Sequence, residues 1–428
     1  MTGEILAVGD MHLGRRPARL PPGLGLDPEK LTPVAAWERV VELALERGCA
    51  ALLLAGDVVE SENAWFEAYG PLERGVRRLV EAGIEVCAVA GNHDGVALPR
   101  LARSLEGFRL LGEGGRWEVH ALRSPEVAGL RVAGWSFPSR SYREDPLEDF
   151  PALEADTGPV VGLLHCDLGA GASSYAPVQR SRLEALPVAA WLLGHLHQPT
   201  LGAGVRPVGY LGSLVGLDPT ETGTHGAWSV VPDASGSVRA EMMALAPLRW
   251  ERLTVDAGML GASGEALEEA VVAALEQAAD EAAADGPDLR ALGCRVSLIG
   301  RSPAWRSLAE RVAEGRWEDL FLERRGISVF VDAIDSRVAP ALDLEALAEG
   351  NDPLALLARE VLEVERAGPE LPELCRELRE TYRQALRQAG VTAVGLDAPG
   401  EEDLRQALLR AGEQALGALS DQKPGSAE

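Results

Sequence analysis

Lysine is almost missing from this 428-residue chain: of 41 basic residues, only Lys30 and Lys423 are lysine. Neither follows a glycine, so there is no GxxxxGK phosphate loop, and an ATPase working with this chain would be another polypeptide. Arginine suits bidentate phosphate contacts, although biased codon usage accounts for the skew equally well. Long apolar runs are also lacking. None approaches the roughly 18 residues that suggest a membrane span, and Met1-Thr2-Gly3-Glu4 has neither the basic start nor the apolar core of a signal peptide. The five cysteines are an odd number without CxxC spacing. Cys49 and Cys87 sit in or beside apolar runs, so buried free thiols and a cytoplasmic location are expected. A net charge of −25 argues against wrapping a polyanion with the whole surface. It leaves open nucleic acid at a metal-centred cleft, where cations can be the largest local charges.

What is present is globular in character, with 46% hydrophobic and 25% charged residues. The length calls for two or three domains. The apolar run Ile5-Leu6-Ala7-Val8 leads into Gly9-Asp10-Met11-His12, a strand with a polar end. A Pro/Gly/Arg-rich loop follows, then an amphipathic helix over residues 33–47. Ala51-Leu52-Leu53-Leu54-Ala55 ends in Gly56-Asp57. A helix over 64–82 precedes Val86-Cys87-Ala88-Val89-Ala90, which ends in Gly91-Asn92-His93-Asp94. This β-α-β-α-β order predicts a parallel sheet with right-handed crossovers. Residues 117–122 and 130–137 alternate as antiparallel strands do. Residues 159–164 end at His165, and 189–193 end at Gly194-His195-Leu196-His197. Further strands over 208–213 and 226–231 close a first domain at residue 248. Beyond it, strands over 251–255, 290–299 and 327–332 and helices over 264–284 and 303–314 predict a small α/β cap, 249–337. Residues 338–428 read as a helical tail, with helices over 352–366, 371–389 and 401–419 and a frayed end from 421.

Five strand ends therefore carry groups able to bind metal: Asp10 and His12, Asp57, Asn92 and His93, His165, and His195 and His197. Of seven histidines in the chain, five fall at these ends; His120 and His225 do not. A single histidine at a strand end is ordinarily a satisfied polar group. Five of them gathered with Asp10, Asp57 and Asn92 have the make-up of a metal site.

Asp-x-His, Gly-Asp, Gly-Asn-His-Asp, a lone His after a strand and Gly-His-x-His together resemble the five-part signature of the calcineurin-like metallophosphoesterases, over residues 5–230. Within that superfamily, Tyr210-Leu211-Gly212-Ser213 with Asp218 and Gly223, the α/β cap and the tail are similar to the SbcD-type DNA repair nucleases, including the YhaO-like branch. The resemblance implies an α/β fold: a β-sandwich flanked by helices, with a small C-terminal α/β cap and a helical tail. It implies one metal held by Asp10, His12, Asp57 and His197. A second would be held by Asp57, Asn92, His165 and His195, with Asp57 bridging and manganese favoured. Two-metal hydrolysis clamps a phosphate and activates water. His93 would then protonate the leaving oxygen or stabilise its charge. Asp94 either orients His93 or caps the loop. Two departures stand out: Glu60 replaces the usual aspartate three residues after Gly-Asp, and the loop over 15–32 is long.

The function implied is a metal-dependent DNA nuclease of DNA repair, cutting phosphodiester bonds. Implied partners are DNA, an SMC-like ABC ATPase (SbcC-like or YhaN-like) docked on the tail, and a second copy in a homodimer. The tail serves equally well as a packing or oligomer contact. The same core would also serve a small-molecule phosphodiesterase or phosphatase. A further alternative is a non-catalytic adaptor with a structural metal site, though such a site has no need of His93.

Overall fold

The structure, a computed structural model, describes residues 3–60, 67–127, 129–153, 158–169, 171, 173–202, 204, 206–233, 236–258, 260–368, 371–388 and 399–420. Two compact units divide the chain. The first is Met1–Leu253 with Leu275–Arg295 and Arg316–Ala333; the second is Thr254–Ala274 with Val296–Gly315 and Ile334–Glu428.

The first unit is built on two sheets. Strands β1 (Ile5–Val8), β2 (Ala51–Ala55), β3 (Glu85–Val89) and β4 (Phe108–Leu110) lie side by side and parallel, as the β-α-β order predicts. Gly226–Pro232 runs antiparallel to β1, and Val238–Ala244 completes this six-stranded sheet. In the second sheet, β5 (Trp117–Ala121) pairs antiparallel with β6 (Arg131–Trp135). Strand β7 (Val160–His165), Ala190–Gly194 and Val208–Tyr210 then follow in parallel.

Period-two alternation explains why β1 and β2 are apolar throughout. Leu6, Val8, Leu52 and Leu54 pack on the helix side with Trp37, Val40 and Val76. Ile5, Ala7, Leu53 and Ala55 face the second sheet's Val132, Val161, Leu163 and Leu192. A strand covered on both faces has no polar side. Helix α1 (Pro33–Arg47) buries Ala36, Trp37, Val40, Val41, Leu43 and Ala44 along one stripe and stops at Gly48, φ +59°. Helix α2 spans Tyr69–Glu81; the expected start of this helix at 64–66 lies outside the described residues. The expected α/β sandwich flanked by helices is the fold of this unit.

Several strands go beyond the sequence reading, among them Phe108–Leu110, Val238–Ala244 and the four-residue Phe321–Arg324. The last of these edges a sheet ordered Leu248–Asp256, Ala291–Ile299, Ile327–Ser336, Phe321–Arg324. The compact units do not follow the divisions expected after 248 and 337. Three of these strands, and the helix Gly264–Asp285, each run from one unit's residues into the other's.

In the second unit, Pro353–Glu365 begins at Asp352, whose carboxylate accepts the Ala355 N–H at 2.9 Å. Leu354, Ala358, Val361 and Leu362 pack with Leu416 of Glu401–Ser420. Leu371 and Cys375 of Leu371–Gln388 pack with Val364 and Leu404. The tail is helical, as expected, and its proposed frayed end at 421–428 lies outside the described residues. All five cysteines are free and buried; burial pushes the Cys49 and Cys87 thiols up to about 12. Among the described residues, no helix is long and apolar enough to cross a membrane.

Candidate metal centre

The predicted ligand residues come from five separate strand ends, and the structure brings them together. The loops after β1 and β2 are zipped to each other: the His12 N–H donates to Asp57 C=O at 2.8 Å, Leu13 to Val58 at 3.0 Å and Glu60 to Leu13 at 3.0 Å. Four of the ligand candidates sit at positive φ, namely Asp10 (+41°), His12 (+46°), Asp57 (+47°) and His195 (+112°). Such conformations cost on the order of 1–3 kcal/mol each in non-glycine residues and gather at functional sites. The motif glycines make room. A Cβ on Gly91 would stand 2.2 Å from Asp57 Oδ1, and one on Gly194 would stand 1.9 Å from the Ala55 carbonyl oxygen.

His12, His165 and His197 each have one nitrogen committed to an oxygen acceptor, which fixes the tautomer. His12 Nδ1–H donates to Glu60 Oε2 at 3.1 Å, and His197 Nδ1–H to Glu221 Oε1 at 2.7 Å. Their Nε2 lone pairs are left facing each other 3.1 Å apart. His165 Nδ1–H donates to the Ala55 carbonyl at 3.1 Å. Its Nε2 therefore confronts Asn92 Oδ1 at 2.9 Å and Asp57 Oδ2 at 3.5 Å. His195 Nδ1 also approaches Asn92 Oδ1, at 3.2 Å. Lone pairs converging on lone pairs repel unless a cation stands among them.

The carboxylates point the same way. Asp10 and Asp57 are buried, and among the described residues their ion pairs are all with histidines. Asp10 accepts the His195 N–H on both oxygens at 3.0 Å, and Asp57 Oδ1 accepts the His93 N–H at 2.9 Å. Burial and the neighbouring Asp57 raise the pKa of Asp10. Burial acts to raise Asp57 as well, but His165, His12 and His93 outweigh it and bring it down. Burial lowers His12 and His195, and lowers His165 to about 4, so these imidazoles stay neutral as ligation requires. Ligating atoms of Asp10, His12 and His197 lie within 4.8 Å of one another, as do those of Asp10, Asp57 and His165. Mixed oxygen and imidazole donors in this number fit a pair of divalent transition-metal ions.

His93 differs from the other four. It is half-exposed, and its Nδ1 meets Glu60 Oε1 at 3.0 Å. That hydrogen bond raises the His93 pKa, while the bonds from His12 and His93 hold Glu60 well below the usual carboxylate range. Glu60, the residue that departs from the family pattern, thus bridges a ligand histidine and His93. Asp94 does not have the orienting geometry. Its Oδ2 accepts the Val58 and Val59 N–H groups at 2.7 and 3.3 Å, and its Oδ1 accepts the Gly91 N–H at 2.7 Å. Those are the bonds of a loop cap, and the orienting contact to His93 comes from Glu60 instead. Burial and the Asp57 charge push the Asp94 carboxyl up to about 8.

Glu221 went unforeseen in the sequence. Besides His197 it accepts the Ser213 hydroxyl at 3.2 Å and the Leu217 N–H at 2.9 Å. Its position three residues after Asp218, in the segment already singled out, was the available signal. The two histidines outside the strand ends are structural: His120 meets Glu85 at 3.0 Å, and buried His225 donates from Nδ1 to the Ser213 carbonyl at 3.0 Å.

Residues 3–199 match the profile of the calcineurin-like phosphoesterases. That match takes in fewer than half of the chain's 428 residues. The chain is 26% identical over 242 residues to the uncharacterized metallophosphoesterase YhaO of Bacillus subtilis (strain 168), covering 52% of the chain and 55% of YhaO. It is 30% identical over 272 residues to the DNA double-strand break repair protein Mre11 of Aeropyrum pernix, covering 60% of the chain and 64% of Mre11. The alignments thus span less than two thirds of either relative's length. A solved dimetal phosphatase from Danio rerio overlaps 54% of this chain and 92% of its own at 12% identity and a TM-score of 0.34. That likeness is too loose to inform the fold. The resemblance to the SbcD- and YhaO-like kind, drawn from Tyr210-Leu211-Gly212-Ser213 with Asp218 and Gly223, the cap and the tail, agrees with these two relatives.

Proposed function

We propose that this metal-dependent phosphoesterase is a DNA nuclease of DNA repair that hydrolyses phosphodiester bonds. One metal is assigned to Asp10, His12, Asp57 and His197, and a second to Asp57, Asn92, His165 and His195. The supporting observation is the convergence of the His12, His165 and His197 Nε2 atoms on each other and on Asp57 and Asn92 oxygens. Choosing DNA as the substrate is supported by the likeness to a protein named for double-strand break repair. Manganese, a cytoplasmic location, a homodimer and an SMC-like ABC ATPase bound by the helical tail belong to the same proposal, as does a capping role for residues 249–337.

When bound, the divalent cations supply the charge that activates water and balances the phosphate oxygens. The chain's own residues do the rest. Glu60 holds the His93 ring by Nδ1, which leaves Nε2 to deliver a proton to the leaving oxygen. Glu60 also raises the His93 pKa, which shifts the imidazole toward its acid form. Asp94 fixes the loop that presents Asn92 and His93 by accepting three main-chain N–H groups. Glu221 fixes the tautomer and direction of His197.

The test is incubation of the purified chain with manganese and labelled DNA ends, hairpins and a chromogenic phosphodiester, with chelated controls. Cleavage of DNA supports the proposal; cleavage of the small ester alone indicates a small-molecule phosphodiesterase, and silence on both a structural metal site. Asn92→Ala is expected to lose both cleavage and metal affinity. His93→Ala should lose about 10²- to 10⁴-fold in rate while binding metal normally, and full activity in that variant would overturn its role.

A further inference from the structure

In the first unit, the described large apolar side chains that are exposed are Val96, Tyr175 and Leu196, at 49%, 39% and 48%. Each lies near a metal-centre residue, Val96 and Leu196 in sequence and Tyr175 in space. Val96 follows His93 by three residues, Leu196 lies between His195 and His197, and the Tyr175 ring packs on the His195 ring at 5.0 Å with 41° between planes. Among the other described residues of this unit no large apolar side chain is as exposed, so Tyr175 and Leu196 leave apolar surface open beside the ligand histidines.

The Tyr175 backbone is pinned. Its carbonyl accepts the Asp167 N–H at 2.8 Å, and its own N–H donates to Ser173 Oγ at 3.1 Å. The next residue's N–H donates to the Tyr142 carbonyl at 2.7 Å. With its backbone fixed and its ring against His195, Tyr175 offers an aromatic face that has less entropy to lose on stacking. Across the ligand set, the half-exposed Arg15 guanidinium stands 4.0 Å from Glu60. A site with cation ligands at its centre, an arginine beside its acid and exposed apolar groups at its edge suits a ligand that joins an anion to a flat apolar body. A nucleotide is such a ligand; an inorganic or simple alkyl phosphate is not.

We propose that Tyr175 is a stacking platform for the nucleobase adjoining the scissile phosphate, bordered by Leu196. This rests on the DNA reading above and narrows it. A base lying on Tyr175 cannot remain stacked in a duplex, so the substrate is a strand whose terminal or extruded nucleotide is unstacked.

The experiment uses the full chain loaded with manganese and two single-stranded oligonucleotides of equal length, one with natural bases and one abasic throughout. The native protein should show a KM about tenfold lower for the base-bearing strand, the scale of one base–aromatic stack. Tyr175→Ala should bring the two KM values together, whereas Tyr175→Phe should keep them apart. Equal KM values in the native protein would overturn the inference without requiring any variant to fold, and so would a preference that survives in Tyr175→Ala. If the native protein hydrolyses a small phosphodiester but no DNA, the DNA reading itself fails and the inference with it. That outcome is distinguishable from DNA cleavage that ignores the base.

Discussion

The metal centre and the helical tail are both rich in charge, but they use it in opposite ways. At the centre, Asp10, Asp57, Asp94 and His165 are buried, and each of their polar atoms faces an assigned partner. In the tail, buried Glu413 aside, charges lie mostly toward the surface, in local pairs such as Glu373 with Arg376, 3.0 Å apart with both side chains more than half exposed. Buried groups are strongly coupled to their surroundings because little water screens them. Exposed pairs one helical turn apart contribute almost nothing. One region is therefore specified atom by atom, and the other only by its apolar stripe.

Substitutions of three kinds sharpen that contrast. The largest effect is expected from Gly194→Ala, whose methyl would meet the Ala55 carbonyl at 1.9 Å and His165 Nδ1 at 2.8 Å. Because the obstruction is backbone, the two sheets must part, at a cost of about 3 kcal/mol, read as a lowered urea midpoint. Glu221→Gln should be milder. It replaces a charged acceptor of the His197 Nδ1–H by a neutral one, and manganese affinity measured by calorimetry should fall about 10- to 100-fold while the urea midpoint of the metal-free chain holds. Glu373→Gln in the tail should leave both the midpoint and manganese affinity where they are. A large loss from Glu373→Gln, or none from Glu221→Gln, would break the contrast.

The contrast also governs what could be read from the sequence. Ligand positions were legible because each stands directly after an apolar run, so strand and ligand announce each other: Leu54-Ala55 then Asp57, Leu193 then His195. The sandwich followed from the same runs. Val238–Ala244 was not legible, because Val-Arg-Ala-Glu-Met-Met-Ala has one β-branched residue and loses its alternation at the Met pair. Phe321–Arg324 is a short edge strand, with too few residues to show a period. The work of Glu60 and Glu221 could not be read either. Glu60 meets His93 across 33 residues, and Glu221 meets His197 across 24, and no local pattern records a contact made only when two loops fold back together. For the same reason Asp94 stayed open in the sequence between orienting His93 and capping the loop. Its neighbour in sequence is His93, but its partners in space are the main chain at 58, 59 and 91. The compact units divide within strands and a helix, where composition shows no change.

The zipper between the first two loops bears on how such a chain can change length. Leu13 and Val59 pair as a parallel bridge beyond the ends of β1 and β2. Main-chain bonds from His12 to Asp57, Leu13 to Val58 and Glu60 to Leu13 fix which residues of the two loops lie opposite each other. An insertion between residues 9 and 13 would break that pairing and displace Asp10 and His12, whatever residue is added. Immediately after Gly14 the pairing stops, and each doubling of a free loop costs only about 0.6 kcal/mol. The long segment over 15–32 begins at the first place where extra residues leave the register of the metal ligands intact.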